Sequence, residues 1–514
     1  MSHRKLISIA IAAIALGGSL QANHHETHGS DWPMWGGSPD RNMVGEASNL
    51  PVAVEPGKRV EGSDEIDMST TENVLWVAKV GSQAYGNTTV GGGRVYVGTN
   101  NESPRDAKQE GDRGVLMAFD EKTGAFNWQL LIPKLGAGKV SDWEYVGLCS
   151  SPAISGDYVF IVTNRGEVVC LDANGLADGN DGPFQDEAKY MSTNGAPVEL
   201  TDQHADIIWV FDMREELGIF PHNVSSCSPL VVGDTVYVST SNGVDWSHNN
   251  IPAPFSPALV AIDKNTGALL GEEAAQVSER VLHASWSSPA FANVGGKDQL
   301  IWGGGDGFCY AFEPKPVVGP DGYEILKELW RYDCNPPEYR VKDGKPTKYA
   351  TYPGPSEVIS TVVVHGDRAY ALIGQDPEHG DGVGMLSALD ATTGKAVWTY
   401  QDIGRTVSTP SIYNGMIFVA EYDGDIHCLD AETGKVHWVH GTDSRIWGST
   451  LVADGKVYLP NEDGQVVVLA ATKEKKELGT MEFYTPIYSS PVVANDVLYV
   501  ATQTHLYAMK KGGK

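Results

Sequence analysis

The chain has 514 residues, 66 of them acidic against 38 basic, for a formal net charge of −28. So acidic a protein repels nucleic acid and anionic membrane surfaces, and suits a soluble partner, a cation or a neutral ligand. Glycine (58) and tryptophan (13) are abundant and long amphipathic helical periods are absent, which excludes a helical bundle and points to many turns and many docked rings.

Arg4 and Lys5 precede an apolar run from Leu6 to Leu16, then small and polar residues to Ala22. That pattern is a secretory signal with cleavage after Ala22. Residues 1–22 are therefore expected to be removed and the mature chain to be periplasmic or secreted. No later stretch has the length of a membrane span. Residues 23–72 read as an N-terminal extension, with a histidine tract at His24, His25 and His28. The apolar run Val74–Ala78 follows, with no neighbouring strand to pair with.

From residue 88 the chain repeats. Ala118-Phe-Asp-Glu-Lys-Thr-Gly-Ala-Phe-Asn-Trp128 recurs as Ala388–Trp398 and Cys428–Trp438, and without its Trp as Ala261–Gly267. Asp390 and Asp430 stand 40 residues apart, a period that means a propeller or solenoid. In each copy a small residue ends a strand, the Asp caps the turn amides, and the Thr-Gly pair supplies a tight hairpin. The Trp is expected to pack over the small residue of a neighbouring unit and staple adjacent sheets.

A second phrase opens an apolar strand at Ser150-Ser-Pro152, Ser226–Pro229, Ser287–Pro289, Ser408–Pro410 and Ser489–Pro491, with weaker forms at Ser360 and Ser449. Opening strands fall near residues 88, 151, 228, 288, 361, 409, 450 and 490. The last unit, ending Leu506–Met509, lacks a fourth strand, which Val74–Ala78 can supply. The fold predicted is an all-β, eight-bladed β-propeller of four-stranded antiparallel blades, closed by an N-terminal strand, over residues 73–510 with a tail at 511–514. Glu215–Leu217 and Asp186–Ala188 are expected to form no more than single helical turns.

In such blades the B–C loops and D–A connections share one face, and loops on a rigid scaffold carry function. Three units have long B–C insertions: Asn100–Gly114, Asn242–Asn250 and Gln375–Asp381. Candidate ligand-binding residues are Asn242, Asp245 and His248, then Gln375, Asp376, Glu378 and His379, whose residue types suit metal binding or acid–base work. Trp286, just before an inner strand, is a candidate stacking floor. Asp172, Asn174, Asp178 and Asn180 form an oxygen-rich stretch with the composition, though not the spacing, of a calcium loop. The alternatives are a solvated acidic loop, a channel-packing indole and a turn-rich insertion. Cys149 and Cys227 precede adjacent inner strands, which usually diverge, so a disulfide there is disfavoured. Cys170 and Cys428 take the small position of the repeat.

The Ala-x-Asp-x-x-Thr-Gly-x-x-x-Trp phrase resembles the tryptophan-docking motif of pyrroloquinoline-quinone (PQQ) repeat propellers, the superfamily of quinoprotein alcohol dehydrogenases and BamB. Asp31–Gly36, Asp40–Asn42, Phe220–Asn223, Asn242-Gly243 through Ile251–Pro254, and Gly374–Gly380 further resemble exported members found in planctomycetes and related bacteria. The resemblance implies either a non-catalytic binding or scaffold protein or, as the alternative, a PQQ- and calcium-dependent quinoprotein oxidoreductase. The dehydrogenases typically carry an adjacent-cysteine disulfide over the quinone. This chain has no Cys-Cys pair, and their calcium ligands do not map onto it one by one. The partner expected is a protein, polymer or small molecule.

Overall fold

The structure, a computed structural model, describes residues 31–193, 195–347, 354–377 and 384–513. Eight antiparallel sheets form the blades of a propeller. Blade 1 consists of strands Thr89–Gly91, Arg94–Asn100, Arg113–Asp120 and Phe126–Pro133, labelled A to D from the axis outward. Blades 2 to 7 begin at Ala153, Leu230, Ala290, Val363, Ser411 and Leu451. Blade 8 has three strands from Val492 to Met509, and Val74–Lys79 pairs as its fourth, with Trp76 opposite Ala508 and Val77 opposite Tyr507. Ring closure by the early strand is thus as expected. The helical turns are short, Glu187–Tyr190 and Met213–Leu217, the latter capped by Asp212. Among the described residues no helix is long and apolar enough to cross a membrane.

The repeat phrases do distinct jobs. Asp120, Asp263, Asp390 and Asp430 accept the backbone N–H and the hydroxyl of the turn Thr three residues on, and these bonds hold each carboxyl below its ordinary range. The indoles tie blade to blade. The N–H of Trp76 donates to Glu121 O, Trp128 to Ala173 O, Trp209 to Lys264 O, Trp330 to Ala391 O, Trp398 to Ala431 O and Trp438 to Thr472 O, at 2.9–3.2 Å.

The seat of the ring differs from expectation. The small residue lies opposite the Trp of its own blade, as Ala118 pairs with Trp128 and Cys428 with Trp438. The rings of Trp76, Trp128, Trp209, Trp330 and Trp398 rest on a turn glycine of the next blade, whereas the blade-7 turn that Trp438 meets has none. At Gly434, for example, an added Cβ would fall 2.5 Å from Trp398. Two blades lack the docking Trp, and extra chain covers both places. Opposite Ala261 stands Gly271, covered by Pro316, which leads into strands Val317–Val318 and Glu324–Leu326 on that sheet's outer edge. Opposite Val468 stands Gly479, covered by the Val52 backbone. There Tyr237 and Tyr458 donate their hydroxyls to Pro314 O and Pro51 O, at 2.8 and 3.0 Å.

At the axis, the Ser-Pro phrases build a second ring. The N–H of Ser151 donates to Ser228 Oγ, Ser228 to Ser288, Thr361 to Thr409, Thr409 to Ser449 and Ser449 to Ser490. Asn87 joins the last blade to the second, all at 2.6–3.2 Å.

Residues 31–50 thread across one end of this ring and touch every blade. Trp32 bridges Val90, Pro33 O accepts from Ile154, Pro39 O from Phe291, Asp40 O from Val364 and Met43 O from Val452. Asn42 exchanges two bonds with Ile412, and Val44–Gly45 runs parallel to Leu451–Ala453. Gly45 passes so close to Val493 that a Cβ would overlap it at 2.1 Å. The fully buried Arg41 guanidinium donates to the carbonyls of Trp35, Ser228, Pro229 and Pro289. Burial pushes its pKa down to about 10, so it stays charged; charge-assisted bonds to carbonyls offset part of its desolvation.

Two outcomes are expected in thermal unfolding. Gly434→Ala and Gly415→Ala both force Ala into a positive φ (69° and 73°), a strain of about 1–2 kcal/mol. Gly434→Ala lowers Tm clearly more, because only there does the new methyl meet an indole; equal shifts contradict the seat. Arg41→Ala leaves buried carbonyls without their donors and costs on the order of 3–5 kcal/mol. Arg41→Lys does not rescue it, since an ammonium cannot reach carbonyls in several directions at once.

Candidate functional site

With one end occupied by the 31–50 segment, the central channel becomes a blind cavity of about 700 Å³ whose wall includes Trp35. B–C loop residues (Asp376, Tyr422, Glu462) and D–A connection residues (Trp143, Trp286, Trp447) line it together. Part of the wall is an aromatic cluster. Tyr85 and Tyr488 stack at 4.7 Å with planes 7° apart, and Trp447 sets its edge against Tyr488 and Tyr422, at 5.9 and 5.2 Å. The Trp447 N–H donates to Glu462, fixing the indole. Arg405 and Arg445 lie over Tyr422 at 4.5 and 5.7 Å. The cavity therefore offers π faces, guanidinium groups and carboxylates together, a wall suited to rings and polar chains.

Beside this wall three imidazoles converge. His222 lies in the connection from blade 2 to blade 3, His248 in the B–C insertion of blade 3, and His283 in the connection to blade 4. Isolated bridges pin these loops: Pro221 with Asn242, and Gly243 with Ala284. One ring nitrogen from each histidine lies within 4.8 Å of the other two, and His222 Nε2 to His248 Nε2 is 3.2 Å. His222 Nδ1 faces Val244 O at 2.6 Å. His283 Nδ1 lies 3.5 Å from Glu357 Oε1, and Glu357 is itself pinned by a bridge to Gly374. His222, His283 and Glu357 are buried and His248 is half-buried. Burial, then the neighbouring His283, pushes the His222 pKa down to about 3, so its ring is neutral at pH 7.

The sequence candidates are distributed as follows. His248 belongs to the imidazole cluster. Trp286 lines the cavity and donates to the carbonyls of His222 and Val224. Asp376 lines the cavity and accepts from Asn223 at 3.3 Å. Gln375 is buried next to the Gly374–Glu357 bridge. Asn242 is buried and holds its loop, accepting from Phe220 N and donating to Ala253 O and Ser278 Oγ. Asp245 binds Ser247 and Asn250 at the surface, and those bonds hold its carboxyl down to about 2. Glu378 and His379 lie outside the described residues.

Away from the cavity, Asp172 accepts from Asn174 N, Asn174 joins Arg94 to Asp178, and Asn180 donates to Glu187. All six cysteines are free thiols. His283 and Glu357 had no mark in the sequence beyond position. His222 and His283 both stand shortly before a Ser-Pro opening phrase, the spacing that brings a D–A residue to this face.

The family profile described as outer membrane protein assembly factor BamB matches residues 60–181, 112–293 and 327–513. No curated protein matches by sequence. Among solved structures, BamB from Moraxella catarrhalis is 15% identical, with TM-score 0.54 over 85% of this chain and 99% of its own. A europium-containing methanol dehydrogenase is 14% identical, with TM-score 0.56 over 92% and 89%. The quinohemoprotein alcohol dehydrogenase of Comamonas testosteroni is 13% identical, with TM-score 0.61 over 94% and 81%. At these identities the likeness is one of fold.

Proposed function

The chain belongs to the family of the outer membrane protein assembly factor BamB, and from that premise we propose that it is an exported binding protein that takes a segment of a protein or polymer into the mouth of its channel. The observation that carries this reading is the blind cavity: closed at one end by Trp35, whose carbonyl accepts from Arg41 behind it, it is a receptacle with aromatic and charged walls. Export rests on the leader pattern at residues 4–22, which precedes the described residues.

The alternative is a quinoprotein dehydrogenase, favoured by the shared fold of the two dehydrogenases. Calcium demands six to eight oxygen ligands. Among the described residues the groups of three or more His, Cys, Asp or Glu side chains placed to share an ion are His222–His248–His283 and Glu421–Asp425–His427. The first is all nitrogen, and in the second Glu421 contacts His427 Nε2 at 3.4 Å. Neither suits calcium, so no quinone chemistry is derived from these residues.

Two measurements test the reading. Tryptophan fluorescence titrated with neutral oligosaccharides and with unfolded polypeptide is expected to saturate for at least one class. Tyr85→Ala combined with Trp447→Ala is expected to weaken that binding about tenfold, since each lost ring contact is worth about 0.5–1.5 kcal/mol. No saturation with either class contradicts the proposal. PQQ added with calcium or a lanthanide is expected to leave absorbance and Tm unchanged. Saturable spectral change with alcohol-dependent dye reduction transfers the protein to the dehydrogenase reading.

A further inference from the structure

We propose that His222, His248 and His283 form a binding site for a divalent first-row transition-metal ion of the zinc class, with Glu357 as the carboxylate that orients His283. This site is separate from the ligand reading above and stands on its own geometry.

Two nitrogens bound about 2.0–2.1 Å from a tetrahedral ion lie about 3.3 Å apart; His222 Nε2 and His248 Nε2 are 3.2 Å apart. The ring centroids of the three histidines are 4.5–5.0 Å from one another, so a single ion can be shared by all three. The tautomers are set from outside the cluster. His222 Nδ1 donates to Val244 O, leaving the Nε2 lone pair facing inward. Glu357 at His283 Nδ1 repeats the carboxylate–histidine arrangement that fixes and strengthens metal-binding imidazoles.

Imidazole donors select zinc, copper or nickel over calcium or magnesium. The carboxylates of Glu357, at His283, and of Asp376, at Asn223 beside His222, offset part of the charge of the ion. Three protein ligands leave a fourth position open, as in reactive zinc sites. His248 is the least buried of the three, so an ion reaches the cluster from its side. No single blade supplies the site: loops from successive blades bring its members together, and the bridges at Asn242, Ala284 and Gly374 hold those loops in register.

The test uses the full chain carrying His24→Ala, His25→Ala and His28→Ala, which removes the other histidine-rich segment. Equilibrium dialysis against Zn(II) alone is expected to give one ion per chain. Co(II) is expected to show the visible bands of a four-coordinate site, and Zn(II) to raise Tm by mass action. His248→Ala and His283→Ala are expected to weaken binding at least a hundredfold, and Glu357→Gln about 10–100-fold. Should His283→Ala misfold, His248→Ala, in a partly exposed loop, decides alone. Absence of a stoichiometric ion once the tract is removed, or unchanged affinity in folded His248→Ala, overturns the site. Loss of oligosaccharide or polypeptide binding has no bearing on it.

Discussion

The structure depends on hydrogen bonds that cross between blades at the axis. Each blade is a small sheet that cannot bury its own faces, so the wheel is stable only if neighbours are fixed against one another. Ser and Thr hydroxyls at the heads of inner strands accept an amide from the preceding blade, Ser287 Oγ donates to Ser360 O between blades 4 and 5, and Asn87 takes the same place where the wheel closes. Across one end of this ring the 31–50 segment adds a spoke to every blade, with Arg41 as a fully buried donor at its centre. The same segment turns a channel into a cavity, so the device that locks the fold also shapes the candidate site.

Further from the axis the indoles do comparable work, and their exceptions are informative. Where blades 3 and 7 lack the Trp, a prolyl segment lies over the vacated glycine and a tyrosyl hydroxyl donates to it. The 313–327 insertion and residues 50–54 of the extension thus replace an indole with a stretch of chain. The constraint conserved from blade to blade is a covered seam, and tryptophan is one way to meet it.

The sequence made the wheel legible because its signals repeat: turn phrase, opening phrase and a last unit short of one strand. It left the indole's seat ambiguous because the small residue and the turn glycine recur in the same phrase, and only the register separates own-blade from next-blade contact. The path of residues 31–50 was illegible for the opposite reason. It meets the blades through a different residue at each and has no period. For the site, long insertions singled out His248, Gln375 and Asp376, and the position before an inner strand singled out Trp286. His283 stands in a connection of ordinary length and Glu357 near the end of the long connection 334–362, neither in a phrase that repeats, and three-dimensional convergence alone brings them to His248.

Axial bonds and the crossing segment together make the blades one cooperative unit. Native-state amide hydrogen exchange in rising denaturant tests it most directly. The inner strands at 89–91, 153–155, 230–232, 290–294, 363–365, 411–413, 451–453 and 492–494 are predicted to converge on one common opening free energy, shared with residues 32–45. Blades that open separately, or a 32–45 segment that exchanges while the inner strands stay protected, would contradict it.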